Sequence, residues 1–320
     1  MNPHSRIYVA GGDTLLGAAL LDRLRAEGCD RLVGVPPAEP DLTNPGQVED
    51  FFGEHRPEYV FLAAGPSGGI GLNRARPADL MRDNLLVAAH VLDAAHRHGV
   101  RKLLYLGSSC GYPRLAPQPM AVESLHTGPL EPTSAAYATA RLAGARLCEA
   151  YREQYGDCFL TAIPANSFGP HDDFSPEGGH VVAALLGRAH RARLYHEPQL
   201  TVWGTGRPRR EFLYSRDLAD ACVFVMRHYD GAAPINLAGG ETLSVAAVAR
   251  AVAEVVGYRG DIHFDAARPD GAPLKVLDAS ALQALGWRPS TRFRTALAET
   301  YDWFLQHALT EGPAHGHAAV

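Results

Sequence analysis

The sequence predicts an α/β protein, a doubly wound parallel sheet followed by a smaller C-terminal α+β lobe, and three observations carry that prediction. Short runs rich in β-branched and aromatic residues alternate with amphipathic stretches through the first half. The amphipathic stretches stop at glycine, and the rhythm changes after residue 165. A chain of 320 residues with 46% hydrophobic content can bury a full core and exceeds the usual size of one compact domain.

Strands are expected at residues 6–10 (RIYVA), 31–35 (RLVGV), 58–64 (EYVFLAA), 101–108 (RKLLYLGS) and 157–163 (DCFLTAI). Helices are expected at 15–28, 77–99 and 134–156, where apolar residues recur at helical spacing and a glycine closes each stretch. Beyond residue 165, Gly, Pro and charged residues become frequent, as in NSFGPHDDFSPEGG and RPDGAPLKV. Ser215 to Asn236 again reads helix then strand, so the chain is expected to return to the main sheet. The expected division is 1–165 with a return segment near 212–240 for the first domain, 166–211 and 241–310 for the lobe, and a disordered tail at 311–320.

The formal charge of -5 and the lack of any run of five Lys or Arg argue against nucleic acid or an anionic membrane as partner. No stretch approaches the roughly 20 apolar residues that span a bilayer, and the first residues lack a signal-peptide core. A soluble, cytoplasmic protein with a small polar ligand is the expectation. Cys29, Cys110, Cys148, Cys158 and Cys222 are scattered and lack the close Cys or His pairs that zinc requires, so neither disulfides nor metal are expected.

The first strand runs into AGGDTLLG, which places Gly11, Gly12 and Gly17 at a strand-to-helix turn where backbone N–H groups and the helix dipole meet a pyrophosphate. This is the dinucleotide position of a Rossmann-type sheet, with Asp13, Thr14, Leu15 and Leu16 between the glycines. A tight turn without a ligand has similar residues, and the spacing departs from G-x-G-x-x-G. Asp41, in the DLT after the second strand, is placed to meet the adenine ring. A 2′-phosphate needs cations near the turn or the end of the second strand, and neither place supplies one. NAD is therefore expected over NADP, with Asp13 or Glu39 as the acid that would grip the ribose diol.

Ser108 ends the fourth predicted strand, and Tyr137 opens a helix with Arg141 one turn later on the same face. That set suits carbonyl chemistry. A phenol with a free pKa near ~10 needs neighbouring cations to pass a proton near neutrality, and Arg141 would supply one. Ser108 or Ser109 would hold the sugar oxygen.

LGSSCGYPRLAPQPMAVESL, LEPTSAAYATARLAGARLCEAY, NSFGPHDDF, GGHVVAALL, VWGTGRPRREFLYSRDLA and RPDGAPLKVLD together resemble the GDP-fucose synthase family through nearly the whole chain. The resemblance implies an extended short-chain dehydrogenase/reductase with a Rossmann domain and a small C-terminal substrate lobe. It implies epimerisation of carbons 3 and 5 of a GDP-4-keto-6-deoxymannose, NADPH reduction of carbon 4, and a homodimer through the helices at 79–98 and 134–155. By motif, the catalytic serine is Ser108, the tyrosine is Tyr137 and the epimerisation acid/base pair is Cys110 and His180. Ser109, Asn166, Arg188, Trp203, Arg210 and Lys275 fall at substrate positions, with arginine suited to diphosphate oxygens. Leu42, Ala63, Ala64, Asn84, Pro164 and Asn166 are further implied cofactor contacts.

This chain departs from that family at Arg141, where the family has lysine, at Thr14 in the turn, and at Asp13, Val35 and Pro37, where the family carries 2′-phosphate arginines. Arginine keeps the charge but does not readily release a proton. Intact epimerisation residues beside lost NADPH determinants give the sequence's first expectation, a redox-neutral GDP-hexose epimerase with bound NAD. The second is a GDP-L-fucose-synthase-type reductase, and the third a weakened sugar-nucleotide binding protein.

Overall fold

The computed structural model describes residues 1–176, 178–268 and 270–307. The tail expected at 311–320 lies outside the described residues. The first half runs β1 (Ile7–Ala10), α1 (Leu15–Ala26), β2 (Leu32–Val33), α2 (Pro45–His55), β3 (Tyr59–Leu62), α3 (Ile70–Ala75), α4 (Pro77–Arg97), β4 (Lys102–Leu106), α5 (Ala135–Tyr155) and β5 (Phe159–Pro164). All five predicted strands form, though β2 is cut short before Pro36 and Pro37, which lack the N–H a sheet ladder needs. Helix α2 was not among the predicted helices. Its start is marked by Asn44, whose side chain accepts from the N–H groups of Gly46 and Gln47, with Pro45 in the first turn.

The second half adds β6 (Asn166–Phe168), α6 (Val181–Leu194), β7 (Gln199–Trp203), β8 (Arg209–Tyr214), α7 (Ser215–His228), β9 (Ile235–Leu237), β10 (Glu241–Ser244), α8 (Val245–Val256), β11 (Asp261–Asp265), β12 (Leu274–Lys275), α9 (Ser280–Ala284) and α10 (Phe293–His307). The main sheet is parallel, in the order β2-β1-β3-β4-β5-β9. Helices α1 and α7 pack together, as do α4 and α5. Two apolar clusters flank the sheet: one joins α1 and α7 to it, and the other joins α2, α4 and α5. The order reverses at β1 and β3, and a doubly wound sheet opens its binding crevice at the carboxyl ends of such strands.

The chain does return to the main sheet, through α7 and β9. The expected return at 212 begins slightly later, because Phe212–Tyr214 belong to β8 of a second sheet, where they pair with β6 and β10. That small sheet, ordered β10-β8-β12 with β6 on β8, and the β7–β11 pair share an apolar cluster with α6, α8 and α10. Among the described residues no helix is long and apolar enough to cross a membrane. The five cysteines are free thiols.

Glu211 on β8 joins the two lobes. Its side chain is buried and accepts from the backbone N–H groups of Gly239 at 2.6 Å, Gly240 at 3.0 Å and Leu277 at 3.0 Å. Three backbone donors, Leu277 N–H buried and those of Gly239 and Gly240 part-buried, would lose their acceptor without it, and an unsatisfied buried group costs on the order of 1 kcal/mol or more. Glu211→Ala is therefore expected to lower the thermal midpoint by roughly 5 °C or more, measured by calorimetry; an unchanged midpoint would show that water replaces the carboxylate.

Candidate active site

A single cavity of about 1130 Å³ runs from the turn after β1, across the carboxyl ends of β3, β4 and β5, to the second sheet. At its first end Thr14 is the N-cap of α1. Its hydroxyl accepts from Gly17 N–H at 3.1 Å and donates to the Gly11 carbonyl at 2.7 Å, so the residue in place of the usual middle glycine closes the turn instead of breaking it. Gly17 is obligatory, since a Cβ there would sit 1.8 Å from the Gly11 oxygen. Gly12 and Gly17 shape the turn from behind, whereas Gly11, Asp13, Thr14, Leu15 and Leu16 line the cavity.

Opposite the turn, Asp41, Leu42, Ala63 and Ala64 also line the cavity. The Asp41 carboxylate accepts from the N–H and hydroxyl of Thr43. Glu39 is the more consequential acid here. One of its oxygens accepts from Gly11 N–H at 2.6 Å and from the Tyr8 hydroxyl at 2.8 Å. Burial raises its pKa, against the lowering effect of those two bonds. Asp13, the other acid considered, is exposed. The stretches 11–16 and 39–43 on the cavity wall contain Asp13, Glu39 and Asp41 and no Lys or Arg.

Ser108 caps the short turn after β4, its hydroxyl accepting from Cys110 N–H at 3.1 Å. Tyr137 stands in the first turn of α5, and the Arg141 guanidinium lies 5.4 Å from the centre of its ring. Arg141 is 6% exposed. It donates to the carbonyls of Ala64 at 3.1 Å, Leu106 at 3.3 Å and Gly65 at 3.2 Å, while its Nε is buried without a partner. The arginine is therefore a fixed cation pinned to the ends of β3 and β4. Gly65 makes room for it, since a Cβ there would lie 3.2 Å from Arg141 Nη2 and 2.4 Å from Asn84 Oδ1. Asn84, an expected cofactor contact, stands behind the cavity wall and spends its amide on the carbonyls of Pro66 and Leu80.

Cys110 and His180 both face the cavity. Burial alone would raise the Cys110 thiol, but the Lys275 ammonium, 3.5 Å from the sulfur, and the hydroxyls of Ser108 and Ser134 bring it below its ordinary value. Lys275, expected at the sugar nucleotide, lines the cavity and sets its ammonium against the thiol. His180 is the N-cap residue of α6. Desolvation would lower its pKa, but the Asp172 carboxylate and the Cys110 sulfur outweigh it and the ring is raised. Both shifts favour the charged forms, thiolate for Cys110 and imidazolium for His180. Ser134 and the Lys275 contact were not legible as partners of Cys110, because they come from segments distant in sequence, and Asp172 meets His180 only through the fold of the loop between them.

Toward the second sheet the wall carries Pro164, Asn166, Arg188, Trp203 and Arg210, with Ser109 beside Ser108. Asn166 donates to the Glu211 carbonyl at 2.9 Å, which ties β6 to β8. Arg188 donates to the carbonyls of Ala184 at 3.3 Å and Thr201 at 3.0 Å, and Arg210 to the Arg209 carbonyl at 2.8 Å; both residues line the cavity. Trp203 is 52% exposed, with the Arg268 guanidinium 5.0 Å from its ring centre. A long cleft with a glycine turn and the N-terminus of α1 at one end and a cationic, aromatic wall at the other fits a dinucleotide beside a second nucleotide. The close approach at Gly17 and the unpartnered Arg141 Nε fit a site built for a bound dinucleotide.

The comparisons agree with this geometry. The model of the NAD dependent epimerase/dehydratase family matches residues 7–238. GDP-L-fucose synthase 1 of Arabidopsis thaliana is 45% identical over 303 residues, covering 95% of this chain and 94% of the relative. A GDP-6-OMe-4-keto-L-xylo-heptose reductase from C. jejuni superposes with a TM-score of 0.90 at 32% identity, covering 96% of this chain and 99% of that one. A GDP-L-fucose synthetase from Naegleria fowleri bound to NADP gives 0.89 at 28% identity over 97% of each. The chain is thus an enzyme of the NAD dependent epimerase/dehydratase family and, within it, belongs to the GDP-L-fucose synthase family.

Proposed function

We propose that this enzyme takes a GDP-linked 4-keto-6-deoxyhexose, inverts carbons beside the ketone and reduces carbon 4, as a GDP-L-fucose synthase does. The observation that carries the reading is the convergence of Ser108, Tyr137, Cys110 and His180 on one cavity, with the thiol lowered and the imidazole raised. The relative at 45% identity is named for this activity, and the first structural neighbour is a reductase of a 4-keto sugar. Both favour the reductive reading over the redox-neutral epimerase that the sequence alone put first, and over a binding protein without turnover.

The chemistry follows from the side chains. A ketone at carbon 4 acidifies the neighbouring C–H bonds, so the Cys110 thiolate removes a proton and the His180 imidazolium returns one from another direction. Ser108 donates to the ketone oxygen, and Tyr137 delivers the proton that oxygen needs on reduction. A bound nicotinamide supplies hydride to carbon 4. Arg141 does not relay a proton; it holds positive charge beside Tyr137 and fixes the strand ends that would help to hold a nicotinamide cofactor. Arg188 and Arg210 suit the diphosphate, and Trp203 suits the base or sugar face.

The preferred cofactor is NAD(H). Glu39 lines the cavity with one oxygen held by Gly11 and Tyr8, and its other oxygen suits a ribose diol. A 2′-phosphate would bring about two negative charges to a wall holding Asp13, Glu39 and Asp41 and no cation. Family likeness also supports a homodimer through α4 and α5, which light scattering would read as twice the chain mass.

Purified enzyme should oxidise NADH strictly in the presence of GDP-4-keto-6-deoxymannose; oxidation that ignores the sugar nucleotide, or none at all, would remove the reading. NADH should bind at least about tenfold more tightly than NADPH by fluorescence titration, and Glu39→Gln should erase most of that gap. Equal affinities in the native protein would count against the assignment of Glu39. Lys275→Met removes the cation that lowers the Cys110 thiol, so the thiol pKa should rise and iodoacetamide should alkylate Cys110 more slowly at neutral pH, by about tenfold. An unchanged alkylation profile would mean that Lys275 does not tune the sulfur.

A further inference from the structure

We infer that Asp172 is a positioning residue that holds His180 by its Nδ1 and so leaves Nε2 as the atom that exchanges protons with the substrate. The inference rests on the reading of His180 as a proton-transfer group. Asp172 and Asp173 follow β6, and this loop folds back on itself before α6 begins. Gly178 N–H donates to Ser175 Oγ at 3.1 Å and Gly179 N–H to the Ser175 carbonyl at 3.1 Å, which turns the chain so that His180 opens the helix beside Asp172. Gly69 N–H then donates to the Gly178 carbonyl at 2.9 Å and ties this loop to the start of α3. The position of the imidazole is thereby set by backbone bonds from two sides.

The Asp172 side chain is 4% exposed, and its Oδ1 lies 3.9 Å from His180 Nδ1. Oδ1 also accepts from Asp173 N–H at 2.9 Å. Oδ2 is buried and has no hydrogen-bond partner. A buried carboxylate is costly to leave unpaired, and among the described residues the ion-pair partner of Asp172 is His180 Nδ1, which faces Oδ1. A ring rotation that closes the gap by about 1 Å makes a charge-assisted bond of ordinary length. The hydrogen bond made by one ring nitrogen decides which tautomer the other presents, so Asp172 on Nδ1 fixes Nε2 as the titrating atom.

The charged groups facing His180 are Asp172 and Asp173 from its own approach loop and Cys110 from the turn after β4, behind which stands Lys275. Asp173 and Cys110 would remain in an Asp172 variant. A change seen on replacing Asp172 alone therefore reports its own contribution.

The test is ¹⁵N-histidine NMR of the full-length protein, with His180 assigned by the loss of its signals in His180→Gln. In the native protein the neutral ring should carry its proton on Nδ1, and in Asp172→Asn the His180 titration midpoint should fall by about one pH unit or more. An identical midpoint in both proteins, or a proton on Nε2 in the native neutral ring, would overturn the inference. The tautomer is read on the native protein alone, so it decides the matter even if Asp172→Asn fails to fold. None of these readouts uses substrate, so an intact shift in an enzyme that leaves the 4-keto sugar unchanged would indict the proposed reaction and not the role of Asp172.

Discussion

The reactive centre depends on a contact made across the two lobes: the Lys275 ammonium of β12 against the Cys110 sulfur of the turn that follows β4. A thiol in a half-buried cleft is pushed toward its neutral form by desolvation, and a neutral thiol is a poor base. The lysine reverses that balance only if the second lobe stays docked. Docking is built from backbone bonds. Met120 N–H donates to the Val276 carbonyl and Asp278 N–H to the Met120 carbonyl. Asn236, from the return strand β9, bridges the Met120 and Asp278 carbonyls and accepts from the Tyr112 hydroxyl. Glu211 adds Leu277 N–H. The strand that carries Lys275 is thus stitched to the segment that carries Cys110, and the interleaved topology is what makes the stitching short.

The cofactor end follows a different logic. There the protein contributes mostly backbone: a capped turn, a helix N-terminus and one carboxylate seated on the first glycine. Arg141 extends this economy of moving parts. Three carbonyl acceptors hold its guanidinium at the strand ends, where a lysine ammonium would have fewer donors to give and more freedom to move. Gly65 provides the space, so the larger cation and the missing side chain are a matched pair.

The strands and long helices were legible because a parallel sheet buried on both faces demands continuous apolar runs, and helix faces demand apolar spacing of three and four. The glycine turn, Ser108, Tyr137, Cys110 and His180 were legible because each belongs to a short local string. What the sequence could not show were partnerships made by folding. Glu39 sits 28 residues from Gly11, and Lys275 sits 165 from Cys110. Asp172 is eight positions from His180, yet the loop that turns it back was not readable as a turn of known type. Asn84 is a contact that the family resemblance implies; its amide nitrogen is committed to the carbonyls of Pro66 and Leu80, a pairing the sequence did not show.

On this reading Cys110 and His180 move protons beside the ketone that a bound 4-keto sugar already carries. The most direct measurement is deuterium uptake at carbons 3 and 5 of GDP-4-keto-6-deoxymannose in D₂O, followed by NMR without reduced cofactor. The account predicts uptake with the native enzyme and its loss in Cys110→Ser while the sugar nucleotide still binds. Uptake that persists undiminished in that variant, or never occurs with the native enzyme, would contradict it.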